Sequence, residues 1–144
     1  MEEVFGEKIA TLQYRYRKAV YAVIILEGKL LTVINHRGHY FLPGGGLNKG
    51  ETNLQCLERE MMEETGYRLE KAEYIGSASL YFLSPCDGPI HNDGSFYYVS
   101  LAEQKEQPLE QDYTIEWCDI AVCENCLLHA HHVWAVRKVC KEMQ

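Results

Sequence analysis

The feature that most constrains this chain lies between Tyr40 and Gly66. A short apolar run, "YFLP", leads into three consecutive glycines, Gly44, Gly45 and Gly46. After Gly50 the apolar spacing changes from strand-like to helical: Leu54, Leu57 and Met61 recur at intervals of three and four. The pattern predicts a strand, a glycine loop and a helix over 51–65, with Gly66 as a left-handed C-terminal cap. A glycine loop permits a ligand to approach the backbone closely.

The helix carries "EREMMEE" at 58–64, four glutamates in seven positions. Glu60, Glu63 and Glu64 fall three and four residues apart and so become neighbours. Each like-charge pair at about 5 Å costs on the order of 3 kcal/mol at an effective dielectric near 20. Arg59 is the one cation within the stretch, too little to neutralise three carboxylates. Basic partners or a hard divalent cation with oxygen ligands would offset the repulsion. The plainer alternative is a solvated helix face, and the glycine loop beside it argues for the ligand site.

Around this segment, "KAVYAVIIL" (18–26) and "LLTVINH" (30–36) read as a hairpin joined by "EGK", and "HYFLP" as a short strand. "KAEYIGSASLYFL" and "GSFYYVSLAE" read as strands separated by a polar loop, "SPCDGPIHNDG", and "EQKEQPLEQD" as an acidic loop. "TIEWCDI" reads as a last strand, with terminal helices in "VCENCLL" and "HHVWAVRKVCKEM". The mixture predicts a layered α/β or α+β domain spanning 1–144. A net charge of −7 disfavours long nucleic acid as a partner. No segment is long and apolar enough to span a membrane, and the N-terminus lacks a signal-peptide pattern. The expected compartment is the cytoplasm, with the six cysteines as reduced thiols.

Gly45, five residues, Glu51, seven residues, then Arg59-Glu60-Met61-x-Glu63-Glu64-x-Gly66-Tyr67 resembles the complete Nudix box of the MutT-like pyrophosphohydrolases. The one departure is Tyr67 at a position that is aliphatic in the family. The resemblance implies an α/β/α sandwich around a mixed β-sheet. It implies hydrolysis of a nucleoside diphosphate linked to another group X, such as a nucleoside triphosphate, nucleotide sugar or ADP-ribose. It further implies Mg2+ or Mn2+ held by Glu60, Glu63, Glu64 and the Gly44 carbonyl, with Glu51 and Arg59 bracing the loop against the helix. Gly45, Gly46, Arg37 and Tyr81 are the expected substrate contacts. Glu63, Glu64, Glu103, Glu106, Glu110 and Asp112 are the candidates for the general base, and Glu110 is the one favoured outside the box. A homodimer is compatible with the resemblance.

Two other functions share the pattern. One is a non-catalytic nucleotide-sensing Nudix domain that regulates a partner, which usually has an eroded box. The other is an isomerase of allylic diphosphates, for which no extra cysteine and histidine metal site maps here. Cys123-Glu-Asn-Cys126 with His129, His131 and His132 has zinc-type residues, but no second C-x-x-C accompanies it. Tyr81, Phe82, Phe96, Tyr97, Tyr98 and Trp117 are candidates for stacking on a base, although strand aromatics more often belong to a core. Arg15, Arg17 and His39 join Arg37 as cations near strand ends, where a surface role is the simpler reading.

Overall fold

The computed structural model describes residues 2–105 and 113–143. Strand β2 (Arg15–Val23) shows best how the sequence builds the fold. Its second half, Ala19–Val23, is buried on both faces. Successive strand residues point to opposite sides. Ala19, Tyr21 and Val23 therefore join one core, and Val20, Ala22 and Ile24 join the other. The first core receives Ala135, Val136 and Val139 of helix α3 (Ala130–Glu142). The second receives Cys56, Leu57 and Met61 of helix α1 (Asn53–Glu64). The sheet thus lies between two helical layers, the expected α/β/α arrangement.

Nine strands and three helices are described, in two sheets. The larger sheet has the order β1-β7-β8-β2-β6, where β1 is Glu3–Phe5, β6 Gly44–Gly46, β7 Tyr67–Ser84 and β8 Gly88–Lys105. It is mixed: β2 runs parallel to β8 and antiparallel to β6. The smaller sheet joins β3 (Ile25–Leu26), β4 (Lys29–Ile34) and β5 (Tyr40–Phe41), with β9 (Thr114–Asp119) also paired to β4. Helix α2 (Cys123–Cys126) is a single turn before α3.

Three expectations change. The run 18–26 is two strands, because the chain passes from one sheet to the other at Ile24. The hairpin therefore forms between β3 and β4 alone, across Glu27 and Gly28, both at positive φ. The polar stretch 84–94 is mostly strand, not loop: β8 begins at Gly88 and continues the pairing with β7. Its asparagine and aspartate resemble a loop by composition, yet Asn92 is buried, hydrogen-bonded to Tyr21 and His131. The third change is in α1, whose buried stripe uses Cys56 in place of Leu54, which is exposed. Cys56 Sγ packs against the Gly45 and Gly46 carbonyls at 3.6 and 3.5 Å, so the first turn seats on the glycine strand.

The helix boundaries have local causes. Thr52 and Gln55 form a reciprocal capping box, at 3.2 and 3.0 Å. At the other end Gly66, at φ 76°, donates to the Met61 carbonyl. This is the left-handed cap expected from sequence. Leu57 is fully buried between α1 and β2. Leu57→Ala should cost about 2–5 kcal/mol, read as a lower denaturant midpoint in equilibrium unfolding.

Candidate active site

Strand β6 and helix α1 meet through two sets of polar bonds. In the first, Arg59 grips Glu51 with two parallel bonds, Nε to Oε2 at 2.6 Å and Nη2 to Oε1 at 2.9 Å. The same guanidinium donates to the Gly46 carbonyl at 3.1 Å. Its Nη1 donates to Glu60 Oε1 at 3.0 Å and to both Glu63 oxygens at 3.3 Å. Arg59 therefore contacts three carboxylates, more than one cation was expected to serve. In the second set, the Gly44 N–H donates to Glu64 Oε1 at 2.9 Å. Glu64 is buried, so its charge rests on backbone in place of water.

These bonds require glycine. Gly44 has φ 141°, and a Cβ there would fall 2.1 Å from the Val20 carbonyl oxygen. A Cβ on Gly45 would fall 2.6 Å from Glu60 Oε1. The glycines allow the carboxylates to lie directly against the backbone.

The Arg59 bonds lower the Glu51 carboxyl to about 2, helped by the Asn48 N–H at 2.7 Å. The Glu51 bond in turn holds the Arg59 guanidinium protonated even more firmly than usual. Among the described residues, no three His, Cys, Asp or Glu side chains are arranged to hold a metal ion, around the cysteines or elsewhere. Arg59 instead gathers Glu60 and Glu63 onto itself. The donor set nevertheless suits a hard cation, because it consists of carboxylate oxygens on one helix face beside a carbonyl-rich strand.

A cleft of about 730 Å3 opens beside this junction. Gly44, Gly45 and Glu64 line it, together with Arg37, Arg17, His39, Phe41, Phe82, His129 and His132. Arg37, Gly45, Gly44 and Glu64 thus line one cleft. Glu60, Glu63, Glu51 and Arg59 lie in the adjoining brace, where Gly46 also faces Arg59 and Arg17. Tyr81 is placed elsewhere: its ring stacks on His91 at 4.1 Å and meets Tyr14 edge-on at 5.0 Å. Its neighbour Phe82 takes the cleft side, as strand alternation demands. Glu106, Glu110 and Asp112 lie outside the described residues, as does the side chain of Glu103.

His129 and His132 stand in the cleft wall, and His131 packs beside them; the sequence raised these three only as zinc-type residues. Burial pushes His129 down to about 4 and His131 to about 3, and holds His132 well below its ordinary value. All three are neutral at physiological pH. The available signal was two adjacent histidines within the apolar run of a helix, "HHVWAV".

Fold and sequence together define a Nudix-domain class of protein. A family profile described as the NUDIX domain matches residues 15–139, and the chain belongs to that family. Solved structures share the fold. A MutT NUDIX hydrolase from Burkholderia pseudomallei is 22% identical with a TM-score of 0.69, covering 87% of this chain and 98% of that one. An ADP-ribose pyrophosphatase from Streptococcus suis is 16% identical with a TM-score of 0.64, covering 89% and 94%. The NUDIX domain of Shewanella oneidensis NrtR, solved with ADP ribose, is 17% identical with a TM-score of 0.71, covering 95% and 94%.

The Glu51 carboxyl should titrate near 2, against an ordinary value of 4.5. Because the folded value is depressed, the stabilisation from this brace is complete above about pH 4.5 and is lost as pH falls through about 2. Carboxyl-carbon NMR across an acid titration checks this, and Arg59→Ala should move the midpoint back toward 4.5.

Proposed function

We propose that this protein is a metal-dependent Nudix hydrolase that cleaves the diphosphate bond of a nucleoside diphosphate linked to another group. The observation that carries the reading is the bond from the Gly44 N–H to Glu64. It fastens the acidic helix to the glycine strand at the floor of a cleft that also holds Arg37 and Arg17.

Glu60, Glu63 and Glu64, with the Gly44 carbonyl, are the residues that would hold the divalent cation, Mg2+ or Mn2+. When bound, such an ion neutralises phosphate oxygens and lowers the pKa of water. The remaining work belongs to the chain itself. Arg59 and Glu51 fix the spacing between strand and helix. Arg37 and Arg17 supply positive charge toward the phosphates. Gly45 keeps side-chain bulk away from the Glu60 carboxylate, and Gly46 keeps it away from the Arg17 guanidinium. Proton removal from the attacking water falls to a carboxylate of this set. Glu63 suits that role, since its side chain is 25% exposed and Glu64 is buried against backbone. Among the described residues no helix is long and apolar enough to cross a membrane. All six cysteines are free thiols, which suits the cytoplasm we propose for it.

A nucleotide-sensing domain would share the cleft and lack turnover, so turnover decides between them. Product release should be measured over nucleoside triphosphates, nucleotide sugars, ADP-ribose and dinucleoside polyphosphates, with Mg2+ and with Mn2+. Glu63→Gln should reduce turnover of the preferred substrate roughly 100- to 10,000-fold with the melting temperature retained. A near-normal rate would remove Glu63 from the chemistry. Separately, metal plus preferred nucleotide at about 100 times Kd should stabilise the native state by about 2.7 kcal/mol, seen as a raised Tm. No shift across the panel would count against the nucleotide site.

A further inference from the structure

Four cysteines that do not line the cleft gather where β9 meets the two C-terminal helices. The Cys123 thiol lies within electrostatic reach of Cys118, Cys126 and Cys140. Among the described residues they form no metal cage. They divide by position. Cys123 is buried in the first core, with Leu30 and Leu127. Cys140 is exposed on α3. Cys118 and Cys126 are the pair whose thiols meet side chain to side chain.

The fold sets this pair. Cys118 sits on β9 opposite Leu30 of β4. Its Sγ lies 3.4 Å from Thr32 Oγ1. That hydroxyl gives its own proton to the Glu116 carbonyl at 2.7 Å, so it holds the Cys118 sulfur in a fixed place. Cys126 closes the single turn α2, where the Leu127 N–H returns to the Cys123 carbonyl at 3.1 Å. Leu127 bridges to Tyr40, and the Leu128 N–H donates to the Tyr40 carbonyl at 3.0 Å. Both sulfurs lie within electrostatic reach of the Tyr40 hydroxyl. Backbone thus secures the two cysteines on different elements, with their thiols in contact. Cys126 is half-buried and open to a small oxidant, whereas Cys118 is buried, and burial pushes its thiol up. An outer thiol that reacts first and an inner one that resolves it is the arrangement of a two-cysteine reaction with peroxide.

We infer that Cys118 and Cys126 form a reversible disulfide when the protein meets hydrogen peroxide. The Cys126 sulfur, as thiolate, attacks the O–O bond, takes one oxygen as a sulfenic acid and releases the other as water. The Cys118 sulfur then displaces that oxygen as a second water, and the S–S bond forms. The two thiols lose two protons and two electrons, and the peroxide takes up both. A dithiol reductant reverses the step by exchange. A transient bond of this kind is compatible with a reducing compartment. It ties α2 to β9 just before Leu128 and His129, and so braces the start of the cleft wall where those two residues stand. The inference is independent of the proposed reaction, since neither cysteine lines the cleft.

The test is a disulfide map. The full chain is reduced, freed of reductant and treated with hydrogen peroxide, and its remaining thiols are blocked before digestion. Cleavage at Asp119 separates Cys118 from Cys123, cleavage at Glu124 separates Cys123 from Cys126, and cleavage at Arg137 separates Cys126 from Cys140. The monomer should lose two of its six thiols. It should yield one peptide pair, joining Cys118 to Cys126 and lighter than its separate thiol peptides by two hydrogens. Dithiothreitol should release the pair. In Cys126→Ser the pair should be absent, with folding checked by thermal melting; if that variant does not fold, the wild-type map decides alone. In the oxidised protein the amide resonances of Leu128 and His129 should shift, and reductant should return them. No link, a link from Cys123 to Cys126, a link between two chains, or Cys126 carried on to sulfinic acid with Cys118 still a thiol would each overturn the inference. Unmoved Leu128 and His129 resonances in a linked protein would overturn its hold on the cleft wall.

Discussion

One guanidinium organises the acidic centre of this molecule. Arg59 reaches Glu51 before the helix, Glu60 and Glu63 along it, and the Gly46 carbonyl on the facing strand. Without it, carboxylates about 5 Å apart would repel by on the order of 3 kcal/mol per pair. With it, strand, connecting loop and helix become one body. The charge is only partly offset, however, since the single cation is shared. The carboxylates thus remain a site of excess negative charge, and their oxygens are of the type that suits a hard divalent ion.

The brace holds only because β2 is anchored on both sides. Alternate residues of Ala19–Ile24 enter the two cores, one closed by α1 and the other by α3. The glycine strand pairs with this same segment, Ala19 opposite Gly46 and Tyr21 opposite Gly44. The carboxylates of α1 therefore rest against a strand pair whose partner, the second half of β2, is buried on both faces. On the other side, α3 brings His129 and His132 to the same cleft. The two helical layers meet the site from opposite faces, one supplying charge and the other neutral aromatic surface.

Much of the acidic half was legible in the sequence. The spacing of Glu51, Arg59, Glu60, Glu63 and Glu64 is local to one helix and its approach, so helical geometry alone makes them neighbours. Gly66 as a left-handed cap and the helix itself follow from the same local rules. The β7–β8 hairpin was harder. Its Asn92-Asp93-Gly94 looks like a loop, yet Asn92 is a core residue satisfied by Tyr21 and His131, from β2 and α3. A polar residue buried by distant partners leaves no periodic trace. The run 18–26 hides its break at Ile24 for a related reason: a continuous apolar run does not show where the chain changes sheets.

The sequence by itself determined the acidic helix, its glycine approach and the family, because these depend on contacts a few residues apart. Only the tertiary structure decided which side chains face the cleft. Strand alternation turned Phe82 inward and sent Tyr81 to stack on His91. The packing of α3 against β2 buried His132 and aligned its ring with the Leu42 N–H, 90 residues away along the chain. Contacts at that separation are set by how layers pack, and nothing in the local order of residues encodes them.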